Sequence, residues 1–148
     1  MLEQLTLNGQ KITFDRDATV ALYLETIVKP GADQCGCIYC KNFAAQRDTV
    51  FPAEFLELLA RLGINPAQEW EAFDFDHASL NPKERLYGGW FLFVGELLEG
   101  LDLQGARTHD KFVYWFTESF PNGTLPEGVN FGAVEFLTRT PWVLSEAP

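Results

Sequence analysis

All three cysteines of the chain lie close together, in the segment DQCGCIYCKNF that covers residues 33–43. Cys35, Cys37 and Cys40 form the pattern C-x-C-x-x-C. Thiolates are soft ligands for zinc and for iron–sulfur clusters, and a two-residue gap lets neighbouring sulfurs reach one ion. The segment therefore predicts a metal site, with zinc as the candidate cofactor.

A structural zinc site usually has four ligands, and the cysteines supply three. The chain has two histidines, His77 and His109, both well downstream of the cluster. The loop DFDHASLNP flanks the helix that we expect to follow the cluster, so it can bring His77 toward the thiols. We therefore predict Cys35, Cys37, Cys40 and His77 as the metal ligands.

The same segment fits thiol–disulfide chemistry. If Cys37 begins a helix that runs through residues 41–46, the helix dipole and Lys41 lower its thiol pKa, and Cys40 lies one turn further on as the resolving thiol. The sequence shows no βαβ frame of the thioredoxin type around the motif. It also gives neither histidine a motif of the kind that activates a cysteine nucleophile. A thiol–disulfide oxidoreductase using Cys37 and Cys40 is thus the alternative function, and we predict no other catalytic residue.

A structural role for the cysteines is also open, since cysteine packs as a small hydrophobic residue. Tyr39, Cys40, Phe43 and Ala44 would then line the inward face of a short helix. In this interpretation Asn42 is a cap or turn residue whose amide bonds to nearby backbone groups.

Short sequence patterns predict the elements in the first half of the chain. Two alternating runs joined by Asn8-Gly9 indicate a hairpin over residues 5–14. The segment 18–28 is rich in β-branched residues and predicts a strand, with one face formed by Val20, Leu22, Leu24 and Val28. Residues 52–63 predict a helix, with an apolar stripe of Phe55, Leu58, Leu59 and Leu62 that ends at Gly63. A second short helix is predicted over 66–73.

The second half predicts extended structure. Residues 74–85 are polar and indicate a loop, and strands are expected over 85–97, 111–120 and 131–144, the last limited by Pro141. Gly88 and Gly89 inside a strand indicate a bulge or a tight packing contact. We predict an α+β fold, a single domain over 1–148, with a mainly antiparallel sheet of about four to six strands and two or three helices packed on it.

Composition and net charge limit the classes of partner that the chain can bind. The chain has 148 residues and 47% hydrophobic residues, enough to bury a core without metal or disulfide support. Its formal charge is −10, from 21 acidic against 11 basic residues, which opposes binding to nucleic acid or membrane surfaces and favours a basic protein partner. Strands that are apolar on both faces are covered on both faces, and a second copy of the chain in a homodimer could cover one of them.

The N-terminal segment lacks the basic start and apolar core of a signal peptide, and the odd cysteine count argues against a disulfide framework. We therefore expect a cytoplasmic protein.

Three segments, CGCIYCKNF, LLARLGINP and LYGGWFLFVGEL, together resemble small uncharacterised bacterial proteins that have a C-x-C-x-x-C-x-N-aromatic turn. The similarity covers roughly residues 35–97. It implies a bacterial intracellular setting and no particular chemistry. From all of these features we expect a non-catalytic binding or interaction domain whose cysteine turn is structural or holds a metal. One specific form is an immunity-type protein that neutralises a basic partner.

Overall fold

A computed structural model gives the fold of the chain, and it describes residues 1–27, 29–75, 84–100, 107–109, 111–121, 123 and 125–147. The strands are β1 (Leu2–Leu7), β2 (Gln10–Asp15), β3 (Glu71–Asp74), β4 (Glu84–Glu99), β5 (Arg107–His109), β6 (Phe112–Thr117) and β7 (Phe131–Pro141). The helices are α1 (Arg16–Glu25), α2 (Gly31–Gln34), α3 (Ile38–Ala45), α4 (Arg47–Val50) and α5 (Ala53–Leu62).

The strands form one antiparallel sheet in the order β1-β2-β4-β7-β6-β5, and the short strand β3 pairs with β4 beside this row. β2 and β3 both lie on the edge of β4 that faces away from β7, β3 toward the start of β4 and β2 toward its end. α1, α3 and α5 are the longer helices, and α2 and α4 are single turns. The predicted α+β class with an antiparallel sheet is confirmed.

Aromatic rings fill the core between the helices and the sheet. Phe43 of α3 and Phe55 of α5 are fully buried and contact Phe136 of β7. The ring centroids of Phe55 and Phe112 are 4.8 Å apart, a distance at which tilted aromatic pairs attract each other. Phe43 therefore fixes α3, the helix that carries Cys40, against the middle of the sheet.

The structure confirms two predicted elements, and each of them depends on a strong local signal in the sequence. Asn8 and Gly9 have φ angles of 49° and 85°, as the tight turn between β1 and β2 requires. α5 ends at Gly63, which is left-handed with φ 85°, and the predicted stripe of Phe55, Leu58, Leu59 and Leu62 is buried.

The strand predicted over 18–28 is wrong, because residues 16–25 form α1. The Asp15 side chain caps this helix by accepting from the backbone N–H of Ala18 at 3.0 Å. Burial follows helical spacing through Thr19, Leu22 and Tyr23, whereas Leu24 is 74% exposed. The cap outweighs the β-branched composition, and the predicted alternating face does not exist; Val28 lies outside the described residues.

The short helix predicted over 66–73 is also wrong, since its second half belongs to β3. β3 pairs with β4 from Glu71–Trp90 to Asp74–Tyr87. Gly89 permits this pairing, because a Cβ there would lie 2.6 Å from the carbonyl oxygen of Glu71. The packing role predicted for the Gly88-Gly89 pair is thereby confirmed.

The three later segments form strands as predicted, with Pro141 at the end of β7. Residues 76–83 of the predicted loop lie outside the described residues. Among the helices that the structure describes, none has the length and apolar character needed to span a membrane.

Candidate metal centre

The three cysteines come together in space. Their Sγ atoms all lie within 4.8 Å of one another, although Cys35 and Cys37 are exposed and Cys40 is buried. Cys35 ends α2, Cys37 precedes α3, and Cys40 lies in the first turn of α3. The cluster thus occupies a turn between two helices. The strand predicted over 18–28 would have placed it after a strand instead.

Cys37 is the N-cap of α3, and its Sγ accepts a hydrogen bond from the backbone N–H of Cys40 at 3.4 Å. Partial burial raises the pKa of Cys37, but hydrogen bonds from the N–H of Cys40, from the other two thiols and from the N–H of Tyr39 outweigh burial. The pKa of Cys37 therefore lies below its ordinary value. This arrangement favours the thiolate that both metal binding and disulfide exchange need.

Cys40 has the opposite character. Burial raises the pKa of its thiol far above the ordinary range, and its hydrogen bonds to Cys37 and Cys35 act in the same direction. An exposed thiol with a lowered pKa thus lies one helical turn before a buried thiol with a raised pKa.

A buried ion pair anchors the start of the cysteine turn. Glu69 is fully buried and receives two hydrogen bonds from Arg47, at 2.9 and 2.8 Å. The same carboxylate accepts from the backbone N–H of Ala32 at 3.0 Å, and the Glu69 carbonyl accepts from the N–H of Gly31 at 2.8 Å. Glu69 therefore holds α2 in place immediately before Cys35.

Asn42 anchors α3. Its side chain is fully buried, donates to the Tyr87 hydroxyl at 3.1 Å and to the Pro141 carbonyl at 3.2 Å, and accepts from the N–H of Val143 at 2.8 Å. The Tyr87 hydroxyl in turn donates to the Tyr39 carbonyl at 2.7 Å. The cap or turn role predicted for Asn42 is wrong: it lies within the helix and bonds to segments that are distant in sequence.

A cleft of about 640 Å³ opens beside the thiols. The three cysteines and all four residues of β3 line it. Trp70 lines the cleft too and is held in place because its Nε1 donates to the Pro121 carbonyl at 2.5 Å. Asp74, at the end of β3, forms a buried ion pair with Arg85 at 2.7 Å. The cleft has the size of a small-molecule or peptide site, and two of the cysteines that line it, Cys35 and Cys37, are exposed to solvent.

The two histidines of the chain have different outcomes. His77 lies outside the described residues, so its role as fourth ligand stays a prediction; Asp74, three residues earlier in the chain, lines the cleft. His109 belongs to β5, at the far end of the sheet. β4, β7 and β6 separate β5 from β3, which amounts to about 19 Å between strands spaced by about 4.8 Å. The topology thus separates the strand of His109 from the cysteine cleft.

Several residues that shape the site were not found from the sequence. Glu69 and Trp70 fall in the segment interpreted as a short helix, and no motif marks them. Asn42 carried a signal, because asparagine inside a helix is unfavourable unless its side chain has a specific partner. Comparisons with protein-family models, with curated proteins and with solved structures find no match.

Proposed function

We propose that the chain is a binding domain whose cysteine triplet holds a soft metal ion, with zinc as the candidate. The observation that carries the proposal is the mutual approach of the three Sγ atoms within 4.8 Å. Zinc–sulfur bonds of about 2.3 Å place neighbouring sulfurs of a tetrahedral site about 3.8 Å apart. The Sγ separations, all within 4.8 Å, exceed that spacing by at most about 1 Å.

Three thiolates leave one coordination position, and His77 is the residue we propose for it. Asp74 lines the same cleft as the cysteines, and three residues of chain reach at most about 10 Å. This short connection in the sequence is the reason for proposing His77 as the fourth ligand. A bound ion would crosslink α2 to α3 and stabilise the wall of the cleft, as structural zinc does in other small domains.

The decisive experiment is elemental analysis of protein purified without a chelator or a histidine tag, combined with a thiol titration. We expect one zinc per chain and thiols that react only after chelation. Cys35→Ser, Cys37→Ser and Cys40→Ala should each lower the zinc content, whereas Lys41→Ala, in the same turn, should not. Three freely reactive thiols and no metal in the folded protein would contradict the proposal.

A second candidate is thiol–disulfide exchange by Cys37 and Cys40. The asymmetry of the two thiols favours it, because an exposed thiol with a lowered pKa precedes a buried thiol with a raised pKa at the start of a helix. Cys37 would attack a substrate disulfide, release one substrate thiol and form a mixed disulfide with the other half of the substrate. Cys40 would then attack the Cys37 sulfur, release the second substrate thiol and leave a Cys37–Cys40 disulfide. Equilibration with glutathione followed by mass spectrometry tests this. Absence of that disulfide under oxidising conditions would exclude the exchange reaction.

A further inference from the structure

The three thiols of the cysteine turn converge on one small volume from two separate helices. Cys35 ends α2, Cys37 precedes α3, and Cys40 lies in the first turn of α3. Their Sγ atoms lie within 4.8 Å of one another, and all three residues line the same cleft. The site therefore offers three sulfur atoms to one small ion or molecule that enters from the cleft.

The fold fixes the two helices by contacts outside the cysteine side chains. Glu69 accepts from the backbone N–H of Ala32 in α2 at 3.0 Å, and the ring of Phe43 in α3 is fully buried against the sheet. The backbone N–H of Cys40 also donates to the Sγ of Cys37 at 3.4 Å. Much of the conformational entropy that three sulfurs lose on binding one ion is therefore lost already on folding.

Three sulfur atoms are a complete ligand set for a trivalent ion that carries a lone pair. Thiolates are soft ligands and select soft ions. Trivalent arsenic and antimony are soft, and they form three bonds in a pyramid with the lone pair in the remaining direction. Zinc in a structural site takes a fourth ligand as well. The triplet by itself thus matches the coordination number of a pyramidal ion.

Charge favours the same class of ion. Arsenite is the uncharged trihydroxide at neutral pH, and its complex with three thiolates is uncharged too, whereas three thiolates on one zinc ion leave one negative charge. Cys40 is 6% exposed, and burying a charged group costs more than burying a neutral one. The net charge of −10 acts in the same direction, since it disfavours further negative charge on the protein.

We propose that the cysteine triplet binds the trihydroxides of trivalent arsenic and antimony through three bonds from the metalloid to the sulfurs of Cys35, Cys37 and Cys40. Each thiol gives its proton to one hydroxyl group, which leaves as water while the sulfur takes its place. Three waters are released, the metalloid stays trivalent, and no oxidant or reductant is needed. The exposed Cys35 and Cys37 make the first bonds, and the buried Cys40 completes the site. The inference rests on the proposed role of the triplet as an ion site, but not on zinc as its ion.

Arsenite added to the metal-free chain is the probe. The reductant is a phosphine, because a dithiol would itself bind arsenic. Native mass spectrometry should show the gain of one arsenic atom and the loss of three hydrogen atoms per chain. X-ray absorption at the arsenic edge should show three sulfur neighbours and no oxygen, whereas a complex with two thiols would keep one hydroxyl group on the arsenic.

A synthetic peptide of residues 33–43 is the matched control, because it carries the same three thiols without the fold. In competition for a limited amount of arsenite, we expect the folded chain to bind at least about tenfold more tightly than the peptide.

Substitutions identify the thiols that bind. Cys40→Ala and Cys35→Ser should each lower the affinity for arsenite by at least about tenfold and leave one oxygen neighbour on the arsenic. Lys41→Ala, in the same turn, should bind as the wild type does. Circular dichroism checks that each variant is folded, and Cys35→Ser, at an exposed position, keeps the test valid if Cys40→Ala is not.

An oxygen neighbour on the arsenic in the folded wild-type chain would overturn the proposal, and so would an affinity no greater than that of the peptide. Unchanged affinity in both cysteine variants would place the bound arsenic elsewhere and overturn it too. Zinc binding without three-sulfur binding of arsenite would refute this inference alone. Arsenite binding without zinc binding would refute only zinc as the ion of the site.

Discussion

Arg47 and Glu69 form a two-point ion pair beneath the cysteine turn, with the Glu69 side chain fully buried and Arg47 12% exposed. Glu69 precedes β3, and Arg47 follows α3, so the pair joins the segment that leads into β3 to the segment that leaves α3. Through the N–H of Ala32, Glu69 also holds α2. The geometry of the thiol cluster therefore depends on a carboxylate that is distant from it in sequence.

We expect Glu69→Gln to lower the free energy of unfolding by about 3 kcal/mol, because the change leaves Arg47 buried without its main counter-charge. This value is at the lower end of the range for a broken buried ion pair, because Arg47 still has its second ion pair, with Asp33 at 3.2 Å. Urea denaturation measures it. Glu71→Gln is the matched control: Glu71 is exposed two residues away and should change stability by less than about 0.5 kcal/mol. Equal effects of the two substitutions would show that the ion pair is not the cause.

Asn42→Ala should destabilise the fold by about 2–3 kcal/mol, because it removes three hydrogen bonds and leaves the N–H of Val143 without its side-chain acceptor. For a chain of this length the melting temperature should fall by about 5–10 °C. Differential scanning calorimetry measures the shift. Lys41→Ala, at the exposed neighbouring position, is the control and should leave the melting temperature nearly unchanged. A small shift for Asn42→Ala would mean that α3 is held mainly by Phe43.

The parts of the fold that the sequence predicted depend on local signals. Asn8-Gly9 and Gly63 need positive φ angles, and the stripe of α5 repeats at helical spacing, so each element is visible in its own residues. α1 was missed because its β-branched composition was given more weight than the cap at Asp15. β3 was missed because four residues are too short to show an alternating pattern.

The sequence predicted that the three cysteines lie together, but it did not predict which residues surround them. Three cysteines in six residues must be near one another, whatever the fold. By contrast, the contact of the cysteine turn with β3 depends on Glu69, Arg47 and the close approach at Gly31, which join residues far apart in sequence. Pairing of this kind leaves no periodic signal in a single sequence.

Stability should fall with rising pH above pH 10, in part because of Tyr87. Burial raises the pKa of Tyr87 to about 12, against a value near 10 in the unfolded chain. Below pH 10 the hydroxyl is protonated in both states, so Tyr87 adds no pH dependence. Between pH 10 and 12 the unfolded chain releases the proton first, and the folded state loses at most about 1.4 kcal/mol per pH unit.

Urea unfolding at a series of pH values from 8 to 12 measures this slope, with Tyr87→Phe as the control. The variant is less stable at neutral pH because the hydroxyl bonds to Asn42 and Tyr39 are lost. Its stability should nevertheless fall less steeply above pH 10. Parallel curves for the two proteins would show that Tyr87 does not contribute.

Zinc should stabilise the chain by mass action if the thiol cluster binds it. At free zinc 100-fold above the dissociation constant, the gain is about 2.7 kcal/mol, or a rise in melting temperature of about 5–10 °C. Cys37→Ser is a sharp control, because serine is a good N-cap and preserves α3 but its hydroxyl is a poor zinc ligand. This variant should fold and show no zinc-dependent shift.

His77→Ala should reduce the shift if His77 is the fourth ligand, and a full shift in His77→Ala would assign that position to another donor. The same zinc shift in the wild-type chain and in a Cys35→Ser/Cys37→Ser/Cys40→Ser variant would place the binding site away from the cysteines.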